Sequence, residues 1–197
     1  MKLIKKIIHK LLALVNLKIT KINYGAENFP IVEATKDEVK LLEMSSKYSM
    51  TNLLKRWSLI NSIKHIKNEK IEGDFVECGV WKGGNLIIYD YLNEKYQLGK
   101  KIYAYDTYAG MSEPSVYDKN YLDIDAKNEW NKSKKTENIN LSFNCYSSIQ
   151  EVKSNVENNS QNINSLKNFR FIEGKVEETL KIEDNLPSKI SILRLDT

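Results

Sequence analysis

The sequence predicts an α/β chain built on a parallel, doubly wound sheet, and three observations carry that prediction. Gly73 to Gly84 reads G-D-F-V-E-C-G-V-W-K-G-G, a short apolar strand that breaks into glycines before an apolar helical run. A second strand pattern follows that helix at Lys101 to Tyr105, and strand, helix, strand in this order forces a right-handed crossover and a parallel pair. Both strands deliver an acid, Glu77 and Asp106, to the carboxyl edge where such sheets bind ligands.

Taken in order, the chain begins with Leu3, Ile4, Ile7, Ile8, Leu11, Leu12 and Val15 at helical spacing, opposite Lys2, Lys5, Lys6, His9 and Lys10. This basic amphipathic helix suits docking on the protein or on a sister subunit of a homo-oligomer first, and a weak contact with an anionic membrane surface second. The stretch Leu11 to Leu17 imitates a signal peptide, but Asn16 and Lys18 interrupt it and no small-residue cleavage site follows, which argues against that reading. Lys18 to Pro30 reads as a connector, and Thr35 to Lys47 as a helix. Thr51 is placed to cap a second helix, in which Leu53, Leu54, Trp57, Ile60, Ile63 and Ile66 repeat at threes and fours and His65 has a surface position.

Beyond the first two strands and the helix Leu86 to Tyr96, the polar stretch Met111 to Ser142 reads as a loop over the site. Ser148 to Val156 reads as a helix and Asn155 to Asn164 as an asparagine-rich turn region. Phe169 to Glu173 is a third strand, Glu177 begins a short helix, and Ile190 to Leu195 is a fourth strand that delivers Asp196.

The 197 residues, 41% of them apolar, are enough for one packed domain with an appendage. The net charge of +4 arises from interleaved lysines and acids, so nucleic acid is not an expected partner. No apolar run reaches the roughly 20 residues of a membrane span. Cys78 and Cys145 lie far apart without metal-ligand spacing and read as reduced thiols of a cytoplasmic protein.

A carboxylate at the end of the second strand can accept from the paired hydroxyls of a ribose, and Asp106 suits that role. NAD, a flavin and S-adenosylmethionine all carry a ribose, so the glycines must choose. A dinucleotide fingerprint wants G-x-G-x-x-G, yet Trp81 stands in the second glycine's place. Gly79 and Gly83 give G-x-x-x-G instead, with Glu77 just before, which favours S-adenosylmethionine over a nicotinamide oxidoreductase. Structural roles stay open beside these: Glu77 as a cap of the next helix, Asp106 as the cap of a turn, and Trp81 as plain core packing.

From about Tyr48 onward the chain resembles the macrocin O-methyltransferase (TylF) family. Five blocks in order carry the likeness: YSMTNLLKRWSLINSI, GDFVECGVWKGG, YAYDTYAGMSEP, FRFIEGKVEETL and ISILRLDT. The resemblance implies a Rossmann-like class I methyltransferase fold, S-adenosylmethionine as cofactor, magnesium, and methylation of a sugar hydroxyl on a small-molecule or glycan acceptor. It places Met50 and Thr51 beside the cofactor and Glu77, Gly79 and Trp81, with Cys78 and Val80 between them, around its methionine part. Asp106, Thr107, Tyr108 and Gly110 fall to the ribose side, and Gly174, Lys175 and Val176 near the adenine. Asp196 aligns with an acid that binds the metal and acts as base.

Family members continue beyond L-D-T with further strands, one of which ends in paired aspartates that complete the metal site. This chain stops at Thr197 with four parallel strands, order three, two, one, four, of the seven usual in that fold. It therefore reads as residues 1–47 of N-terminal helices and connector followed by residues 48–197 as the N-terminal part of a methyltransferase domain. The alternative expectation is an inactive fragment or a cofactor-binding subunit completed by a partner.

Overall fold

A computed structural model describes residues 31–111, 113–115, 117–119, 125–135, 145–162 and 164–196. The basic amphipathic stretch at residues 3–15 and the connector up to residue 30 lie outside the described residues.

Thr35 opens helix α1 (Lys36–Ser46) through a reciprocal cap: its hydroxyl accepts the Glu38 N–H at 3.3 Å, and Glu38 Oε2 accepts the Thr35 N–H at 2.7 Å. Helix α2 (Leu53–Glu69) starts one residue later than its spacing predicts, because Asn52 is the cap; Asn52 Oδ1 accepts the Lys55 N–H at 2.9 Å. His65 is exposed, as expected for a lone histidine. Strand β1 (Asp74–Cys78) leads through the glycine turn into helix α3 (Gly84–Lys95), and β2 (Ile102–Asp106) follows.

Two sequence expectations do not hold. The stretch read as loop contains helix α4 (Ala126–Lys135), and helix α5 (Ile149–Asn159) runs on through part of the asparagine-rich region. The asparagines serve the helix: Asn159 Nδ2 donates to the Asn155 carbonyl at 2.7 Å, and Asn155 Nδ2 to the Lys82 carbonyl at 3.0 Å. Strand β3 (Phe169–Glu173), the one-turn helix α6 (Val176–Thr179) and strand β4 (Ile190–Leu195) complete the order.

The four strands form one parallel sheet in the order β3-β2-β1-β4: the crossover argument predicts the parallel pairing of β1 with β2, and the family resemblance implies the order. Phe75, Glu77, Ile102, Ala104, Ile192 and Arg194 share the face that carries α3, where Phe75 stacks on Tyr89 with centroids 5.0 Å apart. Val76, Cys78, Tyr103, Tyr105 and Ile172 cluster on the other face under Val176. At the amino end of β1, the buried Lys100 donates to the carbonyls of Ile71 (2.8 Å) and Gly73 (2.5 Å), tying the end of α2 to the sheet. Among the described residues no helix is long and apolar enough to cross a membrane.

Candidate functional site

The glycine turn is shaped by what presses against it. Gly79 has φ +86°, and a Cβ there would stand 2.1 Å from the Asp196 carbonyl, so β1 and β4 meet only because that position is glycine. Gly84 admits the turn between α1 and α2: an added Cβ would lie 2.5 Å from Ser49 Cβ, and the Gly84 N–H donates to the Tyr48 carbonyl at 2.9 Å. That approach sets Met50 and Thr51 beside the carboxyl edge of the sheet, with Met50 exposed and Thr51 half-buried.

Asp106 fastens the turn from the neighbouring strand. Its Oδ2 accepts the N–H groups of Val80 (2.6 Å) and Trp81 (3.1 Å), while Oδ1 accepts that of Tyr108 (2.9 Å). Trp81 (φ +49°) and Tyr108 (φ +50°) are both left-handed non-glycine residues, and the carboxylate holds each of them. Both readings of Asp106 thus have a basis: it caps its own turn, and with three donors on about four acceptor positions it keeps room for a ribose hydroxyl. Thr107 Oγ1 donates to the Gly110 carbonyl at 2.7 Å, and the Gly174 N–H donates to the Asp106 carbonyl at 3.0 Å, which brings Lys175 and Val176 to the same edge. Tyr108 is buried, its hydroxyl donating to the Ala104 carbonyl at 3.0 Å, and burial pushes that phenol far up.

Glu77 belongs to a second set. It is buried on the α3 face, where Oε1 accepts from Asn85 Nδ2 at 2.8 Å and from Arg194 Nη1 at 2.7 Å. Burial raises its carboxyl to about 7, against the pull of Arg194 and Asn85. Oε2 has no hydrogen-bond partner among the described residues. Arg194 Nη2 also donates to Thr51 Oγ1 (3.0 Å) and to Asp196 Oδ2 (2.7 Å). Cys78 points to the opposite face, buried in the apolar cluster, and its thiol is pushed up by burial. Val80 is buried, and the half-buried Trp81 ring carries the Lys82 ammonium 5.3 Å from its centroid.

Asn85 and Arg194 are the site residues that the sequence reading missed. The available signal was Arg194, a charge inside the apolar run I-S-I-L-R-L two residues before Asp196.

The family model for macrocin-O-methyltransferase (TylF) matches residues 32–197. The chain belongs to the TylF family. That span contains every residue placed above, from Met50 to Asp196. Among solved structures, that of the O-methyltransferase NovP is similar at 20% identity and a TM-score of 0.57, over 76% of this chain and 55% of NovP. The likeness shows the fold: this TylF-family chain has the Rossmann-like methyltransferase architecture while spanning about half of NovP's length. The structure of CalS11, a calicheamicin methyltransferase, matches at 13% identity and a TM-score of 0.48, over 90% of this chain and 74% of CalS11. A comparison with curated proteins returned no match.

The residues present fit S-adenosylmethionine. A buried carboxylate oxygen without a partner beside a glycine turn is an acceptor for the cofactor's ammonium, and Asp106 has acceptor capacity for its ribose. They do not by themselves fit magnesium. Among the described residues no group of three or more His, Cys, Asp or Glu side chains could hold a metal, and the guanidinium of Arg194 stands against Asp196.

Proposed function

We propose that this chain is an S-adenosylmethionine-dependent O-methyltransferase that acts on a sugar hydroxyl of a glycan, a nucleotide sugar or a glycosylated natural product. One observation carries the reading. The family blocks, up to 143 residues apart, converge on two hydrogen-bond centres at the carboxyl edge of one sheet. Asp106 gathers the glycine turn, its own turn and the segment after β3; Arg194 gathers Thr51, Glu77 and Asp196.

When bound, S-adenosylmethionine supplies a methyl group on a sulfonium sulfur that departs as a neutral thioether. Glu77 binds the amino-acid end, Asp106 the ribose, and Gly174 to Val176 line the adenine side. With the cofactor so held, the chain's main contribution is alignment of the acceptor oxygen with the methyl carbon. Asp196 is at the end of β4 with its side chain 55% exposed, and it takes the hydroxyl proton as the oxygen attacks.

A second reading, a cofactor-binding subunit completed by a partner, is favoured by β4. That strand pairs only with β1 among the described residues, and Leu193 and Leu195 are 54% and 66% exposed. Calorimetric titration with S-adenosylmethionine, alongside methyl transfer to a panel of sugar acceptors, tests both readings. Binding with turnover supports the enzyme, binding without turnover supports the subunit, and saturable NAD binding with no response to S-adenosylmethionine would sink both.

A further inference from the structure

Glu77 and Arg194 are register partners on adjacent parallel strands, so their side chains leave the sheet on the same face. The Arg194 side chain is only 20% exposed and that of Glu77 only 2%. Ion pairs this deep lose much of their attraction to desolvation, and they persist where the geometry is good and further hydrogen bonds are made. Here the planar fork supplies both conditions, with Nη1 on Glu77 and Nη2 shared between Thr51 and Asp196.

A purely structural counter-ion for Glu77 would not need this arrangement. Asp196 is solvated enough to do without a partner, and Glu77 keeps its second oxygen unpaired among the described residues. Instead the guanidinium reaches across three separate segments: the turn before α2, the strand β1 and the end of β4. We propose that Arg194 is a positioning residue that clamps Thr51, Glu77 and Asp196 into one unit, so that the group holding the cofactor's amino-acid end and the group taking the acceptor's proton are placed together. This rests on the methyltransferase reading above. A lysine cannot replace the clamp, because a single ammonium lacks the two parallel donor edges.

The test is calorimetric titration of the full chain with S-adenosylmethionine and with S-adenosylhomocysteine, for wild type, Arg194→Lys, Arg194→Met and Lys100→Met. Lys100 is the control, a buried cation that ties carbonyls at the opposite end of β1. The expected order of affinity is wild type, then Arg194→Lys weakened about threefold to tenfold, then Arg194→Met weakened further, as lost charge-assisted hydrogen bonds require. Lys100→Met lowers Tm but keeps affinity within about twofold, since it removes no bond near the carboxyl edge. Wild-type affinity in Arg194→Lys overturns the proposal, and that conservative variant decides the matter even if Arg194→Met fails to fold. Equal weakening by Lys100→Met overturns it as well, because the effect would then be one of stability. If wild type binds neither probe, the methyltransferase reading itself fails.

Discussion

The Asp106 carboxylate accepts the backbone N–H of Val80 at 2.6 Å, so the acid that ends β2 fixes the turn that follows β1. The same oxygen takes Trp81, and its partner takes Tyr108. Asp106→Ala is expected to strip all three donors at once and to release two residues from left-handed backbone. Urea unfolding should show a loss of about 1–3 kcal/mol, the usual cost of leaving buried donors unpaired. S-adenosylmethionine affinity should fall by roughly tenfold or more, as for a lost charge-assisted hydrogen bond. Unchanged stability together with weakened binding would mean that the carboxylate acts on the cofactor alone.

Gly84 and Ser49 form the second close approach. Gly84→Ala puts a methyl 2.5 Å from Ser49 Cβ and 2.7 Å from the Ser45 carbonyl, and backbone must give way. The expected cost is about 1–3 kcal/mol, typical of overpacking. The displaced turn carries Thr51, so cofactor binding should weaken too. Gly99→Ala is the contrast: its Cβ meets nothing within 4 Å, and only the φ of +64° opposes it, at about 1 kcal/mol. Thermal melts of the two variants check the difference.

Much of this fold is written in local pattern, and the gaps have physical causes. β1 and β3 lie where short apolar runs and the glycines beside them put them, because buried parallel strands are short apolar runs between turn formers. Helix α4, A-K-N-E-W-N-K-S-K-K, has only Ala126 and Trp130 as apolar residues, too few to mark a helix by an apolar stripe. Thr51 and Asn52 are both good caps; Thr51 Oγ1 accepts from Arg194 instead, a choice made by tertiary contact. At the site, strand-end acids and glycines were legible because their positions are marked locally, at the ends of apolar runs and in the turn, although the partners they meet are distant in sequence. Arg194 was not, because its meaning depends on Glu77, 117 residues away in sequence.

Glu38 couples α1 to α2. It closes the α1 cap, and its Oε1 accepts from Lys64 Nζ at 2.8 Å. Burial pushes this carboxyl up, but the Lys64 hydrogen bond and charge and the Thr35 donors outweigh that and hold it below the ordinary glutamate value. A depressed carboxyl adds stability that is present above its unfolded pKa, about 4.3, and is lost as pH falls through the lower folded value. Glu38→Gln should therefore cost about 1–2 kcal/mol near neutrality, and the gap to wild type should close on acidification. Denaturant melts at neutral and acidic pH measure it, and a gap that stays constant with pH would refute the ion-pair account.

Glu77 has the opposite sign. Its buried carboxyl is raised to about 7, so between the ordinary glutamate value and that point the folded state holds a proton that the unfolded chain has released. Stability from this group is thus full in acid and is lost as pH climbs toward 7, by on the order of 3 kcal/mol at most. Glu77→Gln has no proton to lose, so wild type should lose stability relative to this variant between about pH 4 and pH 7, the span from the ordinary glutamate value to the folded one, in paired urea titrations. Cofactor binding should run the other way. An ammonium prefers the ionised carboxyl, so wild-type affinity for S-adenosylmethionine should rise through neutrality while that of Glu77→Gln stays flat. Parallel pH profiles of affinity in the two proteins would remove Glu77 from the cofactor's amino-acid end and leave it as the buried partner of Arg194 alone.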